Sequence, residues 1–183
     1  VRSNGLSQGL SSSQPDQDWE TMRRVLLREA FASSRVAQPR PIIEAEATAL
    51  VAQLTERLGT PMAARPVLRR SFTRFLLKWA LSLEGEKVLK LEALVEEAWA
   101  ILTNPVVTAT DFLGSLSLPG VLDDLPRIRR ERTRLLRSVL ARRRTRCQKG
   151  DFLDALLEAQ KKHGFGDDLI IETLVSLTTA GIS

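Results

Sequence analysis

The chain is 183 residues long, enough for one domain with a sizeable core. Its 43% hydrophobic and 27% charged residues are those of a globular protein rather than a disordered or membrane-spanning one. Aromatic residues reach only 5% and tyrosine is absent, which argues against a platform for stacking sugars or single-stranded nucleic acid. The single cysteine, Cys147, excludes a disulfide framework and a cysteine-rich zinc site. No apolar run approaches the roughly 20 residues that a bilayer requires.

The net charge of +5 is unevenly spread. Arg127, Arg129, Arg130, Arg132, Arg134, Arg137, Arg142, Arg143, Arg144 and Arg146 crowd one stretch. That stretch reads either as the solvated face of one long helix or as a dock for an acidic partner. Charge alone does not point to nucleic acid.

In chain order, residues 1–17 are rich in Ser, Gly and Gln and read as a loop. A helix is predicted from about Asp18 to Ser33, with Asp18 and Glu20 at its positive end and Trp19, Met22, Leu26 and Ala30 on one face. Gln38-Pro39-Arg40-Pro41 breaks it. Ile43, Ala47, Leu50, Leu54 and Leu58 form a second helical stripe, closed by Gly59. A third helix spans about Arg65–Leu83 with Phe72, Phe75, Leu76 and Trp79, and a fourth about Lys87–Leu102 with Leu91, Leu94, Val95, Ala98 and Leu102 buried. Residues 104–126, rich in Pro, Gly and β-branched side chains, read as a long loop of the kind that is usually functional. The fifth helix, about Arg127–Arg144, is apolar at Ile128, Leu135, Leu136, Val139 and Leu140. A short sixth covers Phe152–Lys162, with His163 in the turn that ends it. The last begins at Asp167 or Asp168, which read as helix caps. Its residues Leu169–Leu177 are apolar on all sides, as in a helix at the middle of a protein. Stopping at Ala180-Gly181-Ile182-Ser183, it reads as cut in mid-helix, and Val1 as an internal or processed start. The fold class is all-α.

Two segments together resemble the cytochrome P450 family. Asp18-Trp19-Glu20-Thr21-Met22-Arg23-Arg24, continued by Ala30-Phe31, Ser33, Arg35 and Pro41-Ile42-Ile43, looks like the family's C helix with its Trp-x-x-x-Arg pattern, running into its D helix. Asp151-Phe152-Leu153-Asp154-Ala155-Leu156-Leu157, then Asp167-Asp168 and Ala180-Gly181, looks like the approach to the central I helix. Between them, Leu118-Pro119 and Leu125-Pro126 precede a basic helix, as the family's F–G loop precedes its G helix. The resemblance spans the whole chain as one partial domain. Residues 1–17 form a loop, 18–103 resemble helices C to F, 104–126 the F–G loop, and 127–183 a truncated G to I. Residues 3–9 and Leu91–Ala98 look most like fungal microsomal members.

The resemblance implies a fragment of a haem-thiolate monooxygenase that hydroxylates a small organic substrate with O2 and a redox partner such as a P450 reductase. It places Trp19 and Arg23 at a haem propionate and Ala180 and Gly181 where small side chains leave room above the iron. It also implies a parent protein at the endoplasmic reticulum membrane, with no anchor in this chain. The pattern departs from the family at Ser183, which stands where an acid is usual. The Glu-x-x-Arg pair and the Phe-x-x-Gly-x-Arg-x-Cys-x-Gly loop that ligates the iron are missing. Cys147, flanked by Arg143 and Lys149 where that loop has glycines, does not replace the ligand, so the fragment alone is expected to be inactive. The acid pairs Glu44/Glu46 and Glu96/Glu97 read as lying on exposed faces with no partner that suggests general acid–base work, and no phosphate loop, metal-ligand spacing or nucleophile elbow appears. The alternative reading is a non-enzymatic all-α scaffold or regulatory module with an Arg-rich docking helix.

Overall fold

The computed structural model describes residues 17–32, 39–104, 123–145 and 149–180; the side chains of residues 17–19 and of Ala180 fall outside that description. Among the described residues there are seven helices and no strand. They are α1 (Gln17–Val25), which runs into a π-helical turn at Leu26–Ala30, α2 (Arg40–Thr55), α3 (Ala64–Leu81), α4 (Glu86–Leu102), α5 (Leu125–Arg144), α6 (Phe152–His163) and α7 (Asp167–Ala180). The predicted helices thus appear in the predicted order, with ends moved by at most three residues; the predicted loop at residues 1–17 and most of that at 104–126 lie outside the described residues.

Helix α3 is the hub, packing against α2, α4, α6 and α7. It can face so many neighbours because Leu76, Leu77, Ala80 and Leu81 all bury, with Thr73 beside them. Its hydroxyl is spent on the carbonyl of Arg69 one turn back, so this buried polar group is satisfied. Met22 and Val25 of α1, Leu136 and Leu140 of α5, Leu153 and Leu156 of α6, and Ile170, Ile171 and Leu174 of α7 complete one continuous core.

Two kinds of side-chain ladder hold the helices in register. The aromatic one runs from Phe72 to Phe75 and on to Trp79, which lies stacked on Phe75 at 6.0 Å. Trp79 also meets Phe31 and Phe152, 5.9 and 5.6 Å between ring centroids, and these two rings touch at 5.4 Å. Contacts of this spacing favour tilted or offset rings and tie the end of the π-helical turn to α3 and α6. The ionic ladder joins α3 to α4. Arg69 binds Glu96 through two bonds of 2.8 and 2.7 Å, and Arg74 binds Glu92 through bonds of 2.6 and 3.1 Å.

The tightest junction is a buried ionic clasp. Arg143, near the end of α5, donates from Nη1 to Asp151 (2.7 Å) and Asp154 (3.0 Å), and from Nη2 to the carbonyl of Leu81 at the end of α3 (2.8 Å). Ser82 donates to the other oxygen of Asp151 (2.6 Å), and the backbone N–H groups of Lys149 and Gly150 donate to Asp154. Asp151 also caps α6 by accepting from the Asp154 N–H at 3.0 Å. Ser82 sits at φ +45°, a left-handed conformation that costs a non-glycine residue about 1–2 kcal/mol. Its bond to Asp151 offsets part of that cost. Burial works against the charge on Arg143, but the hydrogen bonds to Asp151 and Asp154 outweigh it and raise its pKa.

Two sequence expectations are corrected. The stripe on α2 is not buried: Ile43 is 48% and Leu58 79% exposed, and the helix stops at Thr55, short of Leu58. Its main contact is with α3 alone, so one narrow line of the helix is covered and the wider apolar face is not. Glu46 is the residue of α2 that buries, paired with Lys78 of α3. The acid pairs do not all lie on exposed faces either: Glu46 is buried and Glu96 half-buried. Glu44 binds Arg40, Glu96 binds Arg69, and Glu97 binds Arg127, so each acid meets a cation on its own helix or on the facing one.

The clasp predicts a sharp contrast between two arginines of the same helix. Arg143→Met strands two buried carboxylates and is expected to cost about 3–5 kcal/mol. Arg137→Met removes an ion pair to Asp168 with both side chains mostly exposed and is expected to cost less than about 1 kcal/mol. Urea melts of the two variants against the parent chain measure both; similar losses would refute the clasp.

Candidate active site

Trp19 and Arg23 stand one turn apart on α1, a spacing that places both on the same face. The neighbouring face carries Met22 and Val25 into the core, while Arg23 and Arg24 are exposed. The side chain of Trp19 lies outside the described residues. Helix α1 is seated on α6, which leaves Arg23 turned to the outside of the packed chain.

At the other half of the predicted site, α7 begins with Asp167 and ends its described length at Ala180. Every residue from Leu169 to Thr179 is buried or half-buried, held between α3 and α5. Three threonines bend their hydroxyls back to the helix itself: Thr173 to the carbonyl of Leu169, Thr178 to Leu174 and Thr179 to Val175. This satisfies the polar groups that burial would otherwise strand. Gly181 and Ser183 lie outside the described residues, as do Cys147 and most of the loop at 104–126. Because α1 and α7 rest on different neighbours, the meeting of Arg23 with Ala180 and Gly181 stays an expectation.

The sequence reading missed the polar seam between α5 and α7. Arg129 donates to Glu172 at 2.9 Å and Arg132 to the hydroxyl of Thr179 at 3.1 Å. Arg132 is only 9% exposed. Burial pushes its guanidinium down to about 10, with Glu172 pulling the other way and Arg129 adding to the fall. Its Nε, the second oxygen of Glu172 and the hydroxyl of Ser176 are all buried without a hydrogen-bond partner.

The Arg-rich stretch is therefore not simply a solvated face. Arg132 and Arg143 are buried, and Arg127, Arg129, Arg137 and Arg144 bind acids from α4 and α7. Arg130, Arg134 and Arg142 are exposed. The signal was present: Ile128, Arg132, Leu136, Val139 and Arg143 fall at intervals of four, four, three and four. Two arginines thus occupy the buried stripe itself. Asp167 and Asp168 bind Arg144 and Arg137 respectively. His163 is exposed at the end of α6, and no group of three or more potential metal ligands lies together among the described residues.

A groove of about 820 Å3 lies between α2 and α3, walled by Ile43, Leu50, Leu68, Phe72 and Phe75. Arg23 does not line it. None of the described helices is long and apolar enough to cross a membrane.

The described residues are all-helical, and the final helix is enclosed from Leu169 to Thr179. The family model for cytochrome P450 matches residues 1–183, and the chain belongs to the cytochrome P450 family. No curated protein matches it.

The seam around Asp167 makes a pH prediction. The Arg144 guanidinium, and then the Gln160 amide, hold the Asp167 carboxyl below its ordinary value. A carboxylate whose folded pKa is depressed stabilises the chain above its unfolded pKa of about 3.9 and loses that contribution as pH falls through the folded value. Asp167→Asn is therefore expected to lower the melting temperature slightly at pH 6, and that gap is expected to narrow at a pH well below the unfolded pKa. Thermal melts of both chains at the two pH values test this, and a gap that persists undiminished in acid would contradict it.

Proposed function

We propose that the chain is the central part of a haem-thiolate monooxygenase that uses O2 to hydroxylate a small organic substrate. The observation that carries this reading is Arg23: an exposed cation one turn from Trp19, on a helix whose neighbouring face is locked into the core. A guanidinium so placed can form a charge-assisted pair with a haem propionate, and the indole N–H of Trp19 is a donor of the right kind to share it. The family match along the whole chain and the enclosure of α7 support the same reading. The small residues Ala180 and Gly181 then leave room above the iron for O2 and substrate.

The residues present fit the edge of the haem and not its iron. No Phe-x-x-Gly-x-Arg-x-Cys-x-Gly loop occurs in the sequence, so this stretch alone is inactive. When bound, the haem supplies the oxygen-activating chemistry, with electron density from an axial thiolate. The chain's own part is to neutralise a propionate, to build the helical wall over the cofactor and to shape the substrate space. A P450 reductase-like redox partner, a location at the endoplasmic reticulum membrane and a fungal microsomal type for the parent follow from the finer resemblance; nucleic acid is not a partner.

The test begins with the transcript. It is expected to read through the codon for Ser183 into the rest of the I helix, a Glu-x-x-Arg pair and the cysteine loop. The protein so encoded is expected to show the carbon monoxide difference band of a reduced haem-thiolate. In it, Arg23→Ala is expected to retain several-fold less haem through purification, and Arg23→Lys to recover part of the loss. Haem content per chain is the measurement, and an undiminished haem content in Arg23→Ala would remove Arg23 from the propionate.

A further inference from the structure

Beside the apolar groove, α2 and α3 enclose a second, smaller cavity of about 180 Å3. On α2, Glu46, Leu50 and Gln53 reach it from positions four and three residues apart, which is one face of a helix. On α3, Arg70 and Arg74 stand one turn apart, with Ser71 beside them. Charge pairing in this region leaves one cation over. Glu46 binds Lys78, Glu92 takes two bonds from Arg74, and Glu96 takes two from Arg69. Arg70 is left with Glu96 at 3.8 Å, an acid whose two oxygens Arg69 already holds at 2.8 and 2.7 Å. That separation is too long for a hydrogen bond. The Gln53 amide and the Ser71 hydroxyl, both half-buried, also make no hydrogen bond among the described residues. Three donor groups of different kinds, from two helices, thus line one cavity.

We infer that Gln53, Arg70 and Ser71 form a binding site for a small tetrahedral oxyanion: phosphate, or the phosphate of a small monoester. A guanidinium grips phosphate through two N–H groups at once, and an amide and a hydroxyl supply donors for the remaining oxygens. The planar carboxylate has only two oxygens to offer the same three groups. The cavity is also too small for a drug-sized ligand, whose pockets run to about 300–1,000 Å3. Arg74 adds positive charge to the wall, and Glu46, its one acid among the described residues, is already held by Lys78. Bound there, the anion joins α2 to α3, the helix on which α2 chiefly rests. Arg23 does not line this cavity, and the site stands independently of the monooxygenase reading.

Isothermal titration of the full chain in chloride buffer tests the site with inorganic phosphate, glycerol 3-phosphate and acetate. Phosphate is expected to bind with a Kd of about 1 mM or lower, and acetate at least about tenfold more weakly. Glycerol 3-phosphate distinguishes the two sources: binding as tight as that of phosphate assigns the site to monoesters, and weaker binding assigns it to the free ion. Arg70→Gln removes a side chain that is 56% exposed and loosely paired. The variant is expected to fold and to bind phosphate at least about tenfold more weakly. Gln53→Glu puts a carboxylate into the cavity and is expected to abolish binding. Phosphate also stabilises proteins by exclusion from their surface. The rise in melting temperature with millimolar phosphate is therefore read as the difference between the parent chain and Arg70→Gln. No binding by the parent chain, acetate bound as tightly as phosphate, or undiminished binding in folded Arg70→Gln overturns the inference. None of these results bears on Arg23 or on haem content.

Discussion

The burial of Arg143 is the constraint on which the rest of the structure leans. A guanidinium taken out of water must have its charge balanced and its donors filled, or it unfolds the region around it. Here the balance comes from two aspartates at the start of α6 and the filling from a carbonyl at the end of α3. Three helix ends are thereby brought to one point. Once α3 ends there, Ser82 must turn into its left-handed conformation and send the chain into α4; once α6 starts there, its first turn is capped by the same Asp151. The clasp thus sets angles that packing of leucines alone leaves loose, since apolar contacts are non-directional.

The same logic runs along α5. A helix so rich in arginine would repel itself if its charges were left to each other. Instead the acids are distributed over α4, α6, α7 and the intervening turns, and they meet it from several sides. The positive stretch in the sequence is largely neutralised in space, which weakens the idea of α5 as a dock for acidic partners. What remains is Arg132, a buried cation without a direct acid, beside the helix that leads to Ala180.

Much of the fold was legible in the sequence, for physical reasons that can be traced to particular residues. The fourth and fifth helices carry their apolar residues at intervals of three and four, and the structure buries most of them as that spacing implies, while the last helix, apolar all round, is enclosed. The α2 stripe has the same spacing but little to pack on, so periodicity forecast the helix and not its burial. The π-helical turn at Leu26–Ala30 was hidden because Met22, Leu26 and Ala30 keep a common side at either winding. The partners of Glu46, Glu92 and Glu96 lie 18 to 32 residues away along the chain, beyond the reach of any local pattern. Of the candidate site, Trp19 and Arg23 were visible as a motif, and Arg23 is exposed. Arg132 went unseen because ten arginines in one run look alike until their places on the helix are compared with the buried stripe.

The aromatic ladder has a consequence for how the molecule can be watched. Trp79 stands where the π-helical turn, α3 and α6 meet, against Phe31, Phe75 and Phe152, whereas Trp99 lies on α4 under the guanidinium of Arg69, 5.9 Å from its carbon. One indole is bathed in hydrocarbon and the other in the field of a cation. Their fluorescence should differ in colour and in sensitivity to quenchers, so that, once the third tryptophan, Trp19, has been replaced by phenylalanine, replacing each of these two in turn splits the emission into two channels. One channel then reports the closing of the α1–α3–α6 corner as the chain folds, and the other the zipping of α3 onto α4.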